Sequence, residues 1–304
     1  MRLFVTGATG VVGTHLVPQL VAKGHSVTAI ARSTEKRVRL QTTGATVVEL
    51  NIFDRVAARR AFERQDAVIN LATHMPPSST RMLLPWEWRE NDRVRHEGSR
   101  VLVDAALEAG VGRFLQESFA PIYEDGGDGW IDERSPVKPA PYNLTALDAE
   151  HSAERFSEAG RTGVVLRFAA FYGSDPFLRE VVKLVKRGWS PIPGAANAYW
   201  SSVSHVDAAS ATAAALGVPG GTYNVCDDEP LTRREWVDVV AGAAGAKPPS
   251  MIPHWLSALG GRTMELLSRS QRMSNAKLKA ASDWQPRYRS AREGLPVAVH
   301  GAAN

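Results

Sequence analysis

Three glycines, Gly7, Gly10 and Gly13, stand three residues apart in Thr6–Gly13 (TGATGVVG). An apolar run, Arg2–Thr6 (RLFVT), precedes them, and a segment of helical spacing follows. Glycines in that setting let the chain turn tightly, let backbone amides approach a diphosphate and let the next helix pack close to its strand. The N-terminus of that helix then presents free N–H groups to phosphate oxygens. The chemistry this implies is dinucleotide binding, with Gly7, Thr9, Gly10, Val11, Val12 and Gly13 as the candidate contacts.

The end of the following strand decides which dinucleotide. NAD-binding chains place a carboxylate there to bond the adenosine ribose. Here the segment reads Ala31-Arg32-Ser33. A guanidinium and a hydroxyl suit a 2′-phosphate, and the guanidinium fork matches phosphate bidentately. The expectation is a preference for NADP(H), with NAD(H) possible.

Other chemistries find little support. No Cys/His/Asp cluster has metal-ligand spacing, and no nucleophile elbow is present, so no metal is expected. Lys and Arg exceed Asp and Glu by 36 to 32, giving a net charge of +4. No basic run is interleaved with aromatics, so no nucleic-acid partner is expected. The single cysteine, Cys226, excludes an internal disulfide and suits a reducing cytoplasm. The N-terminus enters a strand without a signal-peptide pattern. No apolar run approaches the roughly 20 residues that span a bilayer, so no membrane partner is expected.

The elements that must position these residues alternate. Val11–Lys23 has helical spacing and ends at Gly24. Ser26–Ala31, Thr46–Leu50 and Ala67–Leu71 read as buried strands. Trp88–Ala109 reads as a long helix stopped by Gly110, and Arg113–Gln116 and Gly163–Phe168 as two strands flanking a helix that starts near Tyr142. Strands alternating with helices predict an α/β chain, a Rossmann-type doubly wound parallel sheet. Beyond about Tyr172 the rhythm changes. Pro176–Gly188 and His205–Leu216 read as helices, Ser190–Ser201 as a loop and Thr222–Val225 as a strand. Thr232 and Glu235 have capping-box spacing for a helix to about Ala244. The expected division is a dinucleotide-binding domain over 1–172, to which 203–226 returns, and a smaller substrate-binding lobe from 173–202 and 227–304.

These segments resemble the extended short-chain dehydrogenase/reductase family, in its NAD-dependent epimerase/dehydratase branch, over nearly the whole chain. Thr6–Gly13 resembles the family's glycine motif, and Asn51–Asp54 (NIFD) the stretch beside the adenine, with Asn51 in place of the usual Asp. Val68–Thr73 (VINLAT) resembles the strand end beside the pyrophosphate and ribose, and Arg167–Gly173 (RFAAFYG) the strand and loop beside the nicotinamide. His205–Asp207, Gly221–Val225 and Lys277–Gly294 also match. The resemblance adds Asn51, Ile52, Leu71, Ala72, Thr73, Tyr142, Phe168, Ala169 and Phe171 to the cofactor contacts. It also implies a homodimer through Trp88–Ala109 and Tyr142–Glu158.

The family's catalytic set is a Ser or Thr and a Tyr-x-x-x-Lys pair. Tyr142 matches the tyrosine, which gives or takes the proton on the substrate oxygen. Ala146 stands where the lysine would be, and Arg95 where the family often has an asparagine that supports it. Within Glu117–Tyr123 (ESFAPIY) the catalytic slot counts to Phe119, and Ser118 reaches the site only if Pro121 causes a bulge. Without the lysine, Tyr142 is a better general acid than base, which favours reduction over oxidation. The leading reading is an NADP(H)-dependent reductase of a carbonyl or enone in a small molecule, with Tyr142 and Ser118 as catalytic candidates. An epimerase, dehydratase or cyclase-like isomerase, and a non-catalytic NADP-binding sensor, stay open beside it. His74, Met75 and Trp200 are the candidate substrate contacts. Pro76, Pro77, Trp130 and Tyr199 add an apolar mouth.

Overall fold

Short β-branched and apolar runs make the strands, because continuous burial on both faces suits a parallel sheet. The computed structural model describes residues 1–76, 81–251 and 261–303. In chain order the first half contains β1 (Arg2–Thr6), α1 (Gly13–Ala22), β2 (Ser26–Ile30), α2 (Thr34–Gln41), β3 (Thr46–Val48), α3 (Arg55–Phe62), β4 (Ala67–Asn70), α4 (Arg89–Arg93), α5 (Ser99–Glu108) and β5 (Arg113–Phe119). There follow β6 (Trp130–Ile131), α6 (Thr145–Glu158), β7 (Thr162–Phe168), β8 (Ala170–Tyr172) and α7 (Pro176–Lys186). The last third adds β9 (Tyr199–Trp200), β10 (Ser202–Ser204), α8 (His205–Ala214), β11 (Gly221–Val225), β12 (Leu231–Thr232) and α9 (Arg233–Ala243), then helices over Gly261–Ser268, Ala276–Ala281 and Ala291–Ala303.

Seven strands form one parallel sheet in the order β11-β7-β5-β4-β1-β2-β3. Side chains of alternate parity go to opposite faces. Leu3, Val5, Leu115 and Leu166 pack with Leu16, Leu20 and Ala208 of α1 and α8. Phe4, Val68 and Phe114 pack with Phe62, Leu102 and Phe156 of α3, α5 and α6. The order reverses around β1 and β4, and ligands in such sheets bind beyond the strand C-termini at that reversal.

A second core joins Leu178, Val181 and Val185 of α7 to Trp236, Val237 and Val240 of α9 and to Leu295 and Val299. Thr232 accepts from Glu235 N while Glu235 Oε2 accepts from Thr232 N, so the capping box forms.

The long helix expected over Trp88–Ala109 is helical throughout but not uniformly so: a π-turn, Val94–Gly98, separates α4 from α5. The helix expected to open at Tyr142 opens instead at Thr145. Tyr142 belongs to a preceding 3-10 turn, Pro141–Asn143, because Pro141 fixes the first backbone angle and supplies no N–H. On α5 and α6, Arg155 pairs with Asp104 at 3.0 Å on the surface. Among the described residues no helix is long and apolar enough to cross a membrane.

Candidate active site

At the C-terminal end of β1 the chain turns through Gly7 at φ +65°. A Cβ there would lie 2.2 Å from the Leu71 carbonyl oxygen. At Gly13 it would lie 2.3 Å from the Gly7 carbonyl oxygen. These two positions are closed to any side chain, one by the strand end of β4 and one by the loop itself. Gly10 is looser, at 3.2 Å, and is exposed.

The loop is held by Gly10 N to Gly7 O at 2.9 Å and Thr14 N to Gly10 O at 3.0 Å. Among the described residues, no protein acceptor takes the N–H groups of Val11 and Val12. The first turn of α1 has neither a side-chain cap nor an acidic residue. By contrast, Ser33, Asp54, Asp175, Ser204 and Thr232 cap their helices with side chains. An uncapped helix start with unpartnered amides and a loop that excludes Cβ atoms fits a diphosphate.

Polar residues knit the neighbouring strand ends. Thr6 Oγ1 donates to Asn70 Oδ1 at 2.5 Å, and Asn70 Nδ2 donates to Gln116 Oε1 at 2.9 Å. Asn70 Oδ1 also accepts from Ala72 N at 3.3 Å. This fixes Leu71, Ala72 and Thr73 beside the loop. Asn51 bends its own segment by accepting from Phe53 N at 3.1 Å, and Ile52 packs under Gly98, where a Cβ would come within 3.2 Å of its Cδ1.

Arg32 is exposed at the end of β2, and Ser33 Oγ caps α2 by accepting from Lys36 N at 3.4 Å. Between the glycine loop and α2 lies a cavity of about 100 Å³ whose walls include Thr9, Thr14, Lys36 and Arg39. The sequence reading missed Lys36 and Arg39 because it left α2 unassigned.

Ser118 is where the structure corrects the sequence reading. The β5–β7 ladder runs unbroken through Ser118↔Arg167 and Phe119↔Phe168. Pro121 sits beyond it in a 3-10 turn, Ala120–Ile122, so no bulge forms. Ser118 is fully buried, and its hydroxyl donates to Glu150 Oε1 at 2.5 Å. Glu150 also holds Arg167 through both oxygens, at 2.8 and 2.6 Å. The serine is therefore one partner in an internal ion-pair network, and Phe119 occupies the strand-end slot.

Ala146 is fully buried on the face of α6 that also carries Ala149, Glu150 and Ala153. Tyr142 stands at the foot of this helix; its side chain lies outside the described part of the structure. The Phe168 and Phe171 rings lie 5.3 Å apart, tilted by 42°, and Phe171 meets His205 edge-on at 5.9 Å. Ala169 N donates to Val225 O at 3.0 Å. His74 and Met75 are exposed after β4, with His74 N donating to Asn91 Oδ1 at 3.0 Å. Trp200 lies against the Arg233 guanidinium at 4.8 Å and packs on the second core. Trp130 and Tyr199 flank Arg272 at 4.3 and 4.8 Å, Pro76 is buried, and Pro77 lies outside the described residues.

Fold and loop together define a nucleotide-binding α/β enzyme. The chain belongs to the NAD-dependent epimerase/dehydratase family, whose pattern it matches over residues 3–226. It is an oxidoreductase- or epimerase-like enzyme of the NAD(P)-dependent type. A Streptomyces 3-diazoavenalumate denitrifying reductase is 31% identical over 97% of this chain and 99% of its own length. A ketoreductase of Stigmatella aurantiaca, acting on a farnesylated dihydroquinoline oxide, is 27% identical over 81% of this chain and 74% of its own. The Thermus thermophilus UDP-glucose 4-epimerase, solved with NAD, superposes with a TM-score of 0.78 at 26% identity, covering 100% of this chain and 99% of that one.

Proposed function

We propose that the protein is an NADP(H)-dependent reductase of a small electron-poor molecule, with Tyr142 as general acid when the acceptor is a carbonyl or enone. The observation that carries this reading is the buried methyl of Ala146 where a lysine would stand. A phenol ionises near pH 10, so only about one in a thousand is a phenolate at neutral pH. Without that lysine one turn along, Tyr142 serves better as a proton donor than as a proton acceptor. It is a poor base for the alcohol oxidation that opens an epimerase cycle.

The bound cofactor would supply the hydride. The chain's part is to hold it. Gly7, Gly10, Gly13 and the amides of Val11 and Val12 take the diphosphate, while Leu71, Ala72 and Thr73 run beside it. Asn51 and Ile52 flank the adenine side, and Phe168, Ala169 and Phe171 the nicotinamide side. Arg32 and Ser33 at the end of β2, with Lys36 and Arg39 on the cavity wall, would favour a 2′-phosphate, since three positive charges stand in this region against the one carboxylate of Glu35 on that wall. His74, Met75 and Trp200 are the proposed substrate contacts.

A second acceptor class is favoured by the locking of Ser118 and by the diazo-reducing relative. At a diazonium carbon the hydride pair forms the new C–H bond, and the C–N pair leaves with dinitrogen. No oxygen needs a proton there, so neither a serine nor a lysine is required. NADPH consumption with ketones, aldehydes, enones and aryl diazonium salts tests both classes. Consumption with none of them, while NADPH binds, counts against a reductase.

A further inference from the structure

The inner face of α7 is fully used: Leu178, Val181 and Val185 are buried in the second core. Its outer face, with the residue that follows the helix, carries Arg179, Lys183, Lys186 and Arg187, all exposed. Their spacing by threes and fours puts them on one stripe. The one acid on the helix, Glu180, is partly buried.

This stripe runs against the energetics of the helix itself. Like charges four residues apart repel, and Arg179 stands so to Lys183, and Lys183 to Arg187. The macrodipole favours cations at the C-terminal end, but it disfavours Arg179 in the first turn, which holds no acid. Elsewhere helix arginines meet an acid four residues on, as in Arg59–Glu63, Arg93–Glu97 and Arg234–Asp238. Among the described residues none of the cations of this stripe is in an ion pair.

An indole completes the face. Gly188, at φ +80°, ends the helix. Gly188 N donates to Val185 O at 2.9 Å and Trp189 N to Leu184 O at 3.0 Å, the bond pair of a Schellman cap. An apolar residue after such a glycine frequently packs back on the helix. Trp189 instead is 69% exposed, more than any other large apolar side chain among the described residues. Its backbone bridges Ser250, so the exposed Lys247 stands three residues from that bridge. Lys247 likewise has no ion pair among the described residues.

We propose that this face, the cations of α7 with Trp189 and Lys247, docks the protein on an anionic lipid surface. A protein partner would ask for an apolar core around the anchor, whereas the neighbours of Trp189 in the chain are Arg187 and Gly188 on one side. A bilayer interface takes that combination, with indoles at headgroup level and lysines and arginines on lipid phosphates. The apolar face of α7 stays in the core, so the contact lies on the membrane and is reversible. The expectation of no membrane partner rested on the lack of a spanning run, which surface docking does not need.

The test is sedimentation of the full-length protein with vesicles of phosphatidylcholine alone and of phosphatidylcholine with phosphatidylglycerol. The expected result is binding to the anionic vesicles only, weakened by added salt. Lys183→Gln with Lys186→Gln should lower the partition by about thirtyfold, roughly fivefold for each cation lost, and should melt no lower than the wild type because repulsion is relieved. Brominated lipid chains should quench indole fluorescence in the wild type and less in Trp189→Phe. Failure to bind anionic vesicles, equal binding to both lipids, or an unchanged partition in the double variant overturns the proposal. Retention on immobilised polyglutamate without vesicle binding assigns the face to an acidic protein and overturns it as well.

Discussion

Ser118 donates its hydroxyl hydrogen to Glu150 across 2.5 Å, in the interior between β5 and α6. The bond commits the hydroxyl to a buried carboxylate that already clamps Arg167. Ser118→Ala is therefore expected to destabilise the protein by about 1–3 kcal/mol, the range for a hydrogen bond to a charged partner. Turnover at saturating substrate should change little. Chemical denaturation and steady-state kinetics on one preparation separate the two; a large loss of kcat with intact stability would return Ser118 to the catalytic set.

The glycine motif should divide by position. At Gly7 an added Cβ meets the Leu71 carbonyl and the positive φ adds strain. Gly7→Ala is expected to cost more than about 2 kcal/mol of stability. Gly10→Ala, with 3.2 Å of room, should fold and lose nucleotide affinity. Thermal melts and NADPH titrations check both, and a Gly7→Ala protein of unchanged stability would contradict the geometry.

Tyr142→Phe distinguishes the two acceptor classes. With a carbonyl substrate, turnover should fall by about a hundredfold or more, the usual worth of a general acid. With an aryl diazonium acceptor it should fall little. Equal losses on both would indicate a positioning role for the ring or hydroxyl.

Stability should weaken in mild acid through His205. Burial pushes its pKa down to about 4, from an ordinary 6.5. The unfolded chain then binds the proton at higher pH than the folded one. The contribution is complete above pH 6.5 and is lost as pH falls toward 4, by up to roughly 3 kcal/mol. The Asp175 carboxylate, 3.5 Å from His205 Nε2, opposes the shift and His15 reinforces it. Unfolding measured from pH 7 to 4 should show a slope that His205→Gln flattens; an unchanged slope would contradict this account.

The sheet was readable because its strands are continuous apolar runs and its first turn needs glycine at defined places. Helices α2 and α3 were not, because they are short and polar: Leu40 is the one buried residue in TEKRVRLQ. The helix Ala291–Ala303 was left unassigned, and Gly294 and Pro296 within it weaken a helical pattern. In fact Gly294 is small because the Tyr172 hydroxyl lies 2.5 Å from where its Cβ would be. Tyr142 and Ala146 were visible as a spacing. The fate of Ser118 was not, since Glu150 lies 32 residues away and only the packing of a helix on a strand, α6 on β5, brings them together. The same holds for the buried ion pair of Arg95 and Glu117, 22 residues apart.

The most direct measurement is a pair of equilibrium titrations of the purified protein with NADPH and with NADH, repeated on Arg32→Ala. The account predicts that NADPH binds more tightly than NADH and that the substitution removes most of the difference. Binding of neither nucleotide, or an equal NADPH affinity before and after the substitution, would contradict it.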